Sequence, residues 1–252
     1  MKKLTTTLLL IFSVFAVFGQ ELETRYRPAV SGFIDAVKSK NLRKLADRTS
    51  YPLEREYPIP AIKNKQEFIK RYKEVFDDQL IKKIVNSKPA RDWSQVGWRG
   101  IMLFQGDLWL DDDGTLRSVN HQSAVEQKNR AALIAIERNS LHESIKVFKD
   151  PVLVFETAKF RIRIDDLGNY NYRYASWPVK SKMSDQPDLI IKKGEWVPEG
   201  SGGNHRFDFK SGDYLYSCWV MVIGAGETPP ATLTISKANK EILYQKAINI
   251  RN

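Results

Sequence analysis

The sequence predicts an α+β fold in two parts, with helices and a sheet first and strands alone afterwards. Before about residue 145 the apolar residues recur with the period of a helix, and after it they alternate between turn-forming stretches. The 252 residues are enough for one large or two small domains. We therefore expect a mixed domain over residues 20–123, a connecting helix over 124–146, and an all-β antiparallel sandwich or barrel over 147–252.

The first 19 residues have the pattern of a secretory signal peptide. Lys2 and Lys3 form a basic start, Leu4 to Phe18 is almost wholly apolar, and cleavage is expected after Gly19. The apolar run is shorter than the about 20 residues of a membrane-spanning helix. We expect an exported protein, periplasmic or extracellular, with no transmembrane segment after signal removal. An uncleaved N-terminal anchor is the alternative.

The charge of the chain is basic but dispersed. The 40 basic and 30 acidic residues give a net charge of +10, and loss of Lys2 and Lys3 with the signal leaves +8. No basic run of the kind that follows a nucleic-acid backbone is present in the sequence, so nucleic-acid binding is not expected. Such charge favours an anionic polysaccharide as partner, and an envelope protein is the other partner class.

Cysteine and histidine are too few for several common chemistries. Cys218 is the only cysteine and lies within the apolar run "YLYSCWVMVIG", which predicts a buried strand residue and not a nucleophile. One cysteine and three scattered histidines cannot build a four-ligand metal cage. The sequence therefore predicts no metal and no cofactor.

The first half begins with short helices followed by one long helix. "RPAVSGFIDAVKSK" places Pro28 in a first turn, Asn41 caps "NLRKLADR", and a long helix runs from the N-cap Asn64 to Ile84. Strands are predicted at "WRGIMLFQ", "DLWLD" and "TLRSVNHQS", the last two joined at "DDDG". That acidic turn fails as a calcium loop, because aligning Gly114 at the sixth position leaves ligand positions to non-acidic residues.

The order of these elements resembles the NTF2-like (SnoaL-like, cystatin-like) arrangement. The resemblance covers roughly Glu21 to Ser123 and rests on "IKNKQEFIKRYKEVFD" and "WRGIMLFQGDLWLDDDGTLRSVN", which are similar to segments of exported bacterial proteins. It implies a curved antiparallel sheet around a long helix, with a cone-shaped pocket. Enzymes of this fold place an Asp and a His in the cone, so the implied pocket candidates are Arg99, Trp109 and His121.

After Ser123, a possible N-cap, a connecting helix is expected to lead into seven or so strands. The predicted strands are "KFRIRID", "YNYRYASW", "DLIIKKGEWV", "HRFDF", "YLYSCWVMVI", "ATLTIS" and "EILYQKAINI". Eleven aromatic residues lie between Phe160 and Trp219, and they fit either a packed core or a surface that stacks on sugars or anchors a partner.

One glycine-rich segment, "EGSGGNHRFDF", has the composition of a site. A nucleophile elbow would need a glycine where Glu199 stands, and a phosphate loop would need a helix where a strand is predicted. We interpret the segment as a bend, and by strand parity we expect its histidine to share a face with Phe207 and Phe209. As a contact surface it remains a candidate binding loop, formed by Gly200, Ser201, Gly202, Gly203, Asn204 and His205.

No segment of the sequence carries a specific catalytic motif. We therefore predict a non-catalytic binding or interaction module of the cell envelope. Two alternatives stay open: a small-molecule enzyme that uses the cone of the first domain, and an inhibitor of envelope hydrolases that presents the glycine-rich loop.

Overall fold

The computed structural model describes residues 21–224 and 226–251. The predicted signal peptide lies outside them, as does Ala225 in the predicted turn "GAGETPP". In the described part of the chain the helices are α1 (Arg27–Lys38), α2 (Leu42–Asp47), α3 (Lys65–Val75), α4 (Asp78–Asn86), α5 (Pro89–Asp92) and α6 (Ala124–Ser140). The strands there are β1 (Trp93–Gln95), β2 (Ile101–Leu103), β3 (Leu108–Leu110), β4 (Leu116–Val119), β5 (Asp150–Glu156), β6 (Phe160–Asp166), β7 (Tyr172–Pro178), β8 (Leu189–Pro198), β9 (His205–Ser211), β10 (Tyr214–Val220), β11 (Ala231–Lys237), β12 (Lys240–Lys246) and β13 (Asn249–Arg251).

The predicted helix caps are confirmed, but the long helix is two helices. Asn64 accepts a hydrogen bond from Glu67 N at 3.0 Å, so α3 begins where the sequence places it. The chain then leaves helical geometry at Phe76, and Asp77 caps a new helix by accepting from Leu80 N at 2.8 Å. The prediction of one helix to Ile84 is wrong because Asp77 offers the backbone a competing N-cap.

The four-stranded antiparallel sheet has the order β1-β2-β3-β4. Its inward side chains are large and apolar, and they are buried against the helices together with Phe33 and Trp93, whose ring centroids lie 6.2 Å apart. The inward positions of the sheet are Ile101, Leu103, Leu108, Leu110, Leu116 and Val119. Side chains therefore fill the space beneath this sheet.

The remaining strands form one nine-stranded antiparallel sheet that curls over a common core. Its order is β12-β11-β10-β9-β8-β7-β6-β5-β13. The first part of β8 pairs with β7, and its last residues, from Glu195 onward, pair with β9. At the bend a Cβ on Gly194 would lie 2.1 Å from the ring of Phe209, so only glycine fits there.

The two edges of the curled sheet come together at one end. Only residues 247 and 248 separate β12 from β13, yet β13 pairs with β5 at the opposite edge. Ala247 N donates to Ala231 O at 2.9 Å, and Ile248 N donates to Glu156 O at 2.7 Å. The chain thus passes directly from one edge strand to the other.

Helix α6 packs on the outer face of the curled sheet. Ser123 caps it as predicted, by accepting from Glu126 N at 3.0 Å. The helix ends at Ser140 and not at Lys146, and Ile134 is buried with Phe148 and Trp177. Ile136, an apolar residue of the same helix, is exposed. The helix therefore connects both halves through one side and leaves another side open.

Candidate functional site

A cleft of about 540 Å³ lies at one end of the curled sheet, and we call it the mouth cleft. Because neighbouring strands are antiparallel, the starts of β5, β7 and β9 and the ends of β6 and β8 meet at this end. The segment 55–57 and helix α6 close the cleft from the other side. Its lining residues are Arg55, Glu56, Tyr57, Arg130, Asp150, Pro151, Val152, Asp166, Tyr172, Trp196, His205 and Phe207.

Aromatic rings form one wall of the mouth cleft. Phe207 is buried at its base, with Tyr172 at 4.9 Å and His205 at 5.4 Å between ring centroids. Trp196 lies 5.9 Å from His205 and keeps 48% of its surface exposed. His205 Nδ1 lies 2.9 Å from the carbonyl of Gly203 and must donate to it, which leaves Nε2 as the acceptor of the neutral ring. This wall offers both flat rings and a hydrogen-bond acceptor.

Charged groups line another part of the mouth cleft. Asp150 and Asp166 are cross-strand neighbours on β5 and β6, and Arg130 of α6 reaches Asp150 Oδ1 at 2.8 Å and Glu56 Oε1 at 3.0 Å. Asp166 accepts from Gly168 N at 2.6 Å. Both Asp carboxylates therefore already bond to groups of the chain, and Lys149 Nζ also lies 3.6 Å from Asp166 Oδ2.

Buried polar contacts fix the segment that covers the cleft. Arg55 is buried, donates to both oxygens of Glu126, and also donates to the carbonyls of Val119 and His121. Tyr57 donates its hydroxyl to Glu137, and burial with this bond raises the pKa of Tyr57 well above its ordinary value. These bonds attach the 55–57 segment to α6 and to the end of β4.

A buried charge network lies beneath α6 and consists of Glu137, Arg163, Asp165 and Arg173. Arg163 lies 2.6 Å from Asp165 and 3.0 Å from Glu137, and Arg173 lies 2.6 Å from the other oxygen of Asp165. The nitrogens of Arg163 are not aligned as hydrogen-bond donors toward these oxygens, and Glu137 Oε2 is buried without a partner among the described residues. Coulomb attraction, more than directed hydrogen bonds, holds Arg163 in this network.

A second cleft, of about 920 Å³, lies on the other side of Tyr57, and we call it the junction groove. It runs between the proline-containing segment, α6 and β13, and most of its lining is apolar. The lining residues are Pro52, Glu54, Tyr57, Pro58, Ile59, Pro60, Ala61, Lys63, Leu133, Ile136, Glu137, Ser140, Met183, Ile250 and Arg251. The two clefts thus share the junction between the helical and the all-β parts.

The three pocket candidates of the first half lie near the four-stranded sheet but not in either cleft. The Arg99 guanidinium stands 5.9 Å from the ring centre of Trp109, whose neighbours Leu108 and Leu110 point into the core. His121 Nε2 lies 2.9 Å from Asp77 Oδ1, the oxygen that also caps α4. The structure therefore brings Arg99 to Trp109 and His121 to a carboxylate.

The loop Gly200–His205, the glycine loop, is a fixed bend on the surface. Gly200 and Gly203 have φ of +72° and +88°, and Asn204 accepts from Val222 N and Ile223 N, each at 2.8 Å. A Cβ on Gly202 would lie 3.7 Å from the ring of Trp98, so the loop meets the first half of the chain. His205 shares a face with Phe207, as strand parity predicts.

Most of the mouth-cleft residues could not be grouped from the sequence. Tyr172, Trp196 and His205 come from three strands, and Arg130 comes from a helix that the sequence treats only as a connector. The one signal in the sequence that pointed to this site was the density of aromatic residues between Phe160 and Trp219. That signal did not decide whether the rings pack in a core or form a binding surface. Tyr170, within the segment "YNYRYASW" that was predicted as a strand, lies in a turn at φ +56° and is exposed.

Within residues 21–224 and 226–251, no group of three or more His, Cys, Asp or Glu side chains is placed to hold a metal ion. Cys218 is buried, and burial raises the pKa of its thiol. In the same part of the chain, no helix has both the length and the apolar character needed to cross a membrane.

The comparisons with known proteins gave no match, whether with family models, with curated proteins or with solved structures.

Proposed function

We propose that this chain is an exported, non-catalytic binding module of the cell envelope that holds a saccharide ring in the mouth cleft. The single observation that carries the proposal is that the half-exposed Trp196 lines the same cleft as several charged hydrogen-bonding groups. Concave sites with flat apolar surfaces and a few fixed polar groups are typical of small-ligand binding. A sugar ring presents one apolar face and several hydroxyls, which fits the aromatic and the charged parts of the cleft.

The charges around the cleft favour a neutral or amino sugar over a free anion at this position. Three carboxylates, of Glu56, Asp150 and Asp166, outnumber the two cations near them, Arg130 and Lys149, while Arg55 is already paired with Glu126. The net charge of +8 on the chain without its signal peptide acts at longer range and would bring the protein to an anionic polysaccharide. In this proposal the net positive charge of the protein attracts the polysaccharide, and the mouth cleft recognises one of its sugar rings.

Titration calorimetry with a neutral trimer of N-acetylglucosamine and an anionic oligogalacturonate tests the proposal. Replacing Trp196 by Ala should weaken binding of the better ligand by about tenfold or more, because truncating a central aromatic anchor removes roughly 1.4 kcal/mol or more. Tyr244→Ala is the matched control, since Tyr244 is 45% exposed against 48% for Trp196 and lies on another strand outside the cleft. Equal affinities for the Trp196→Ala variant and the parent protein would contradict the assignment.

For the fold, we propose an NTF2-like arrangement of residues 20–123 joined to a sandwich or barrel of residues 147–252. Support comes from the four antiparallel strands packed against α1, α3 and α4 and from the curled nine-stranded sheet with a single core. The buried inward side chains of the first sheet leave the cone of such a fold filled, which favours a binding role of the junction over chemistry in the cone.

A small-molecule enzyme is the second candidate, and the His121–Asp77 pair is the observation that favours it. Burial alone would raise the pKa of Asp77, but the hydrogen bonds from Leu80 and His121 lower it below its ordinary value. A carboxylate held in this way can orient a histidine, as general-base pairs require. Loss of a measured activity in His121→Gln, with an unchanged melting temperature, would support the enzyme and oppose a purely structural pair.

The inhibitor of envelope hydrolases is the third candidate, favoured by the fixed and exposed glycine loop. Gly200, Ser201 and Gly203 are exposed, while the bonds of Asn204 hold the loop in one shape. Rigid loops lose little conformational entropy when they enter a partner. The inhibitor role would be supported if the parent protein inhibits a muramidase and the Ser201→Arg variant does not. If the parent protein shows no inhibition, the inhibitor role is wrong.

A further inference from the structure

The junction groove is open, apolar and close to charged groups. Helix α6 contributes Leu133 and Ile136, and Ile136 keeps 67% of its surface exposed although it lies on a helix that packs well elsewhere. Ile59 and Ile250 contribute the facing walls. The volume of about 920 Å³ falls within the about 300–1,000 Å³ of small-molecule sites. An apolar body of that size would gain by leaving water here.

The exposed charged side chains of the groove include more cations than carboxylates, and we call their position the rim. Lys63 and Arg251 line it and are exposed, and within residues 21–224 and 226–251 neither forms a salt bridge. Glu54 is the exposed carboxylate among the lining residues, and burial raises its pKa. Glu137 also lines the groove, but its charge is offset by Arg163 at 3.0 Å. A ligand with an anionic head group therefore meets two cations and one exposed carboxylate.

We propose that the junction groove binds a single-chain anionic amphiphile of the fatty-carboxylate class. The hydrocarbon chain lies along Leu133 and Ile136, and the carboxylate lies at the rim near Lys63. This ligand matches both the apolar lining and the charge of the groove. Its hydrocarbon chain needs no hydrogen-bond partners, and its negative charge is opposite to the net positive charge of the exposed lining residues. The site is distinct from the mouth cleft and does not depend on saccharide binding.

Binding of dodecanoate to the chain without its signal peptide, below the micelle concentration, tests the site by titration calorimetry. Dodecanoate should bind at micromolar to sub-millimolar concentration, and dodecyltrimethylammonium, with the same chain and the opposite charge, should bind at least tenfold more weakly. Equal binding of the two amphiphiles would overturn the assignment of the rim, and absence of dodecanoate binding would overturn the site.

Variants locate the ligand. Ile136→Glu should weaken dodecanoate binding by at least tenfold, whereas Val125→Glu on the same helix is the matched control, because Val125 is 49% exposed and lies outside the groove. Lys63→Glu should weaken dodecanoate binding and Glu54→Gln should strengthen it, with Lys70→Glu as the exposed control.

Ile136 and Lys63 are exposed, so circular dichroism should give the same fold for these variants. Unchanged affinity in Ile136→Glu would overturn the proposal. Trp196→Ala should leave dodecanoate binding unchanged, which separates a failure of this site from a failure of the saccharide proposal.

Discussion

Replacing Asp165 by Ala should destabilise the protein more than any single surface change. Asp165 lies between Arg163 and Arg173, each 2.6 Å from one of its oxygens, and all three side chains are buried. Its loss leaves Arg173 with the carbonyl oxygens of Ile145 and Val147 as its hydrogen-bond partners among the described residues. Arg163 would keep Glu137 as an ion-pair partner, whereas Arg173 would have no carboxylate partner among the described residues.

The size of the effect follows from burial. Breaking a buried ion pair on one side costs about 3–5 kcal/mol, because the remaining charge loses its partner and gains no water. Arg163 keeps Glu137 at 3.0 Å, so its loss is partial and the expected cost is in the middle of that range, about 4 kcal/mol. For a chain of this length about 1 kcal/mol lowers Tm by about 2–4 °C, so we expect a fall of about 8–16 °C.

Calorimetric or circular-dichroism melting of residues 20–252 measures this. The control is Asp47→Ala, which removes an exposed ion pair with Lys65 at 2.7 Å and should cost no more than about 1 kcal/mol. Replacing the pair together, as Asp165→Leu with Arg173→Met, should recover part of the loss, since no unpaired charge then remains at Arg173. Equal melting temperatures for Asp165→Ala and Asp47→Ala would refute the role of the buried charge network.

Four further outcomes are expected. Gly203→Val should cost about 1–3 kcal/mol, because the residue has φ of +88°, while Ser201→Ala should leave Tm unchanged; similar Tm shifts in both would contradict the bend. Asp77→Asn keeps the cap but removes the charge, so the variant should be less stable than the parent protein at pH 7. The pKa of Asp77 in the folded protein lies below its ordinary value of 3.8, so the two proteins should become equally stable once the pH falls well below 3.8. A stability difference that stays constant across pH would count against the Asp77–His121 pair. Limited proteolysis between about residues 123 and 150 should release a stable C-terminal fragment, and uniform degradation would argue against two domains. Elemental analysis after dialysis against chelator should find no stoichiometric zinc, and retained zinc would show that expectation to be wrong.

Local signals predicted the starts of α1, α2, α3 and α6 and most of the strands. They did not predict α4, α5, β1 or β5, and they gave β12 and β13 as one strand. The side chains of Asn64 and Ser123 bond three residues ahead, so the caps they form depend on sequence within one turn. The alternating segments after residue 150 became strands for a similar reason, since alternation requires only a sheet with one buried face. The break at Asp77 was missed because two good N-caps compete within one apolar stripe, and the stripe alone does not decide between them.

The mouth cleft could not be predicted to the same degree. Strand parity correctly placed His205 on the face of Phe207. Parity cannot predict that His205 and Trp196 are partly exposed at the end of this face. Their exposure depends on where β8 stops pairing with β7 and begins to pair with β9. The part played by Arg130 depends on how α6 docks, which is a property of contacts between residues far apart in sequence.

The buried charge network could not be predicted from the alternation of residues along the strands. Its position beneath α6 also suggests a role for the network in the fold. Arg163 alternates with Ile162 and Ile164 along β6, but alternation tells only which residues share a face, not what covers that face. Helix α6 covers it, and the charges there are paired across strands, with Asp165 opposite Arg173. A helix docked on apolar residues alone could shift by one turn with little loss of buried area. Glu137 lies 3.0 Å from Arg163 in the present placement of α6. We expect a shifted helix to lose this pair, so the charges favour the placement that also brings Arg130 to the mouth cleft.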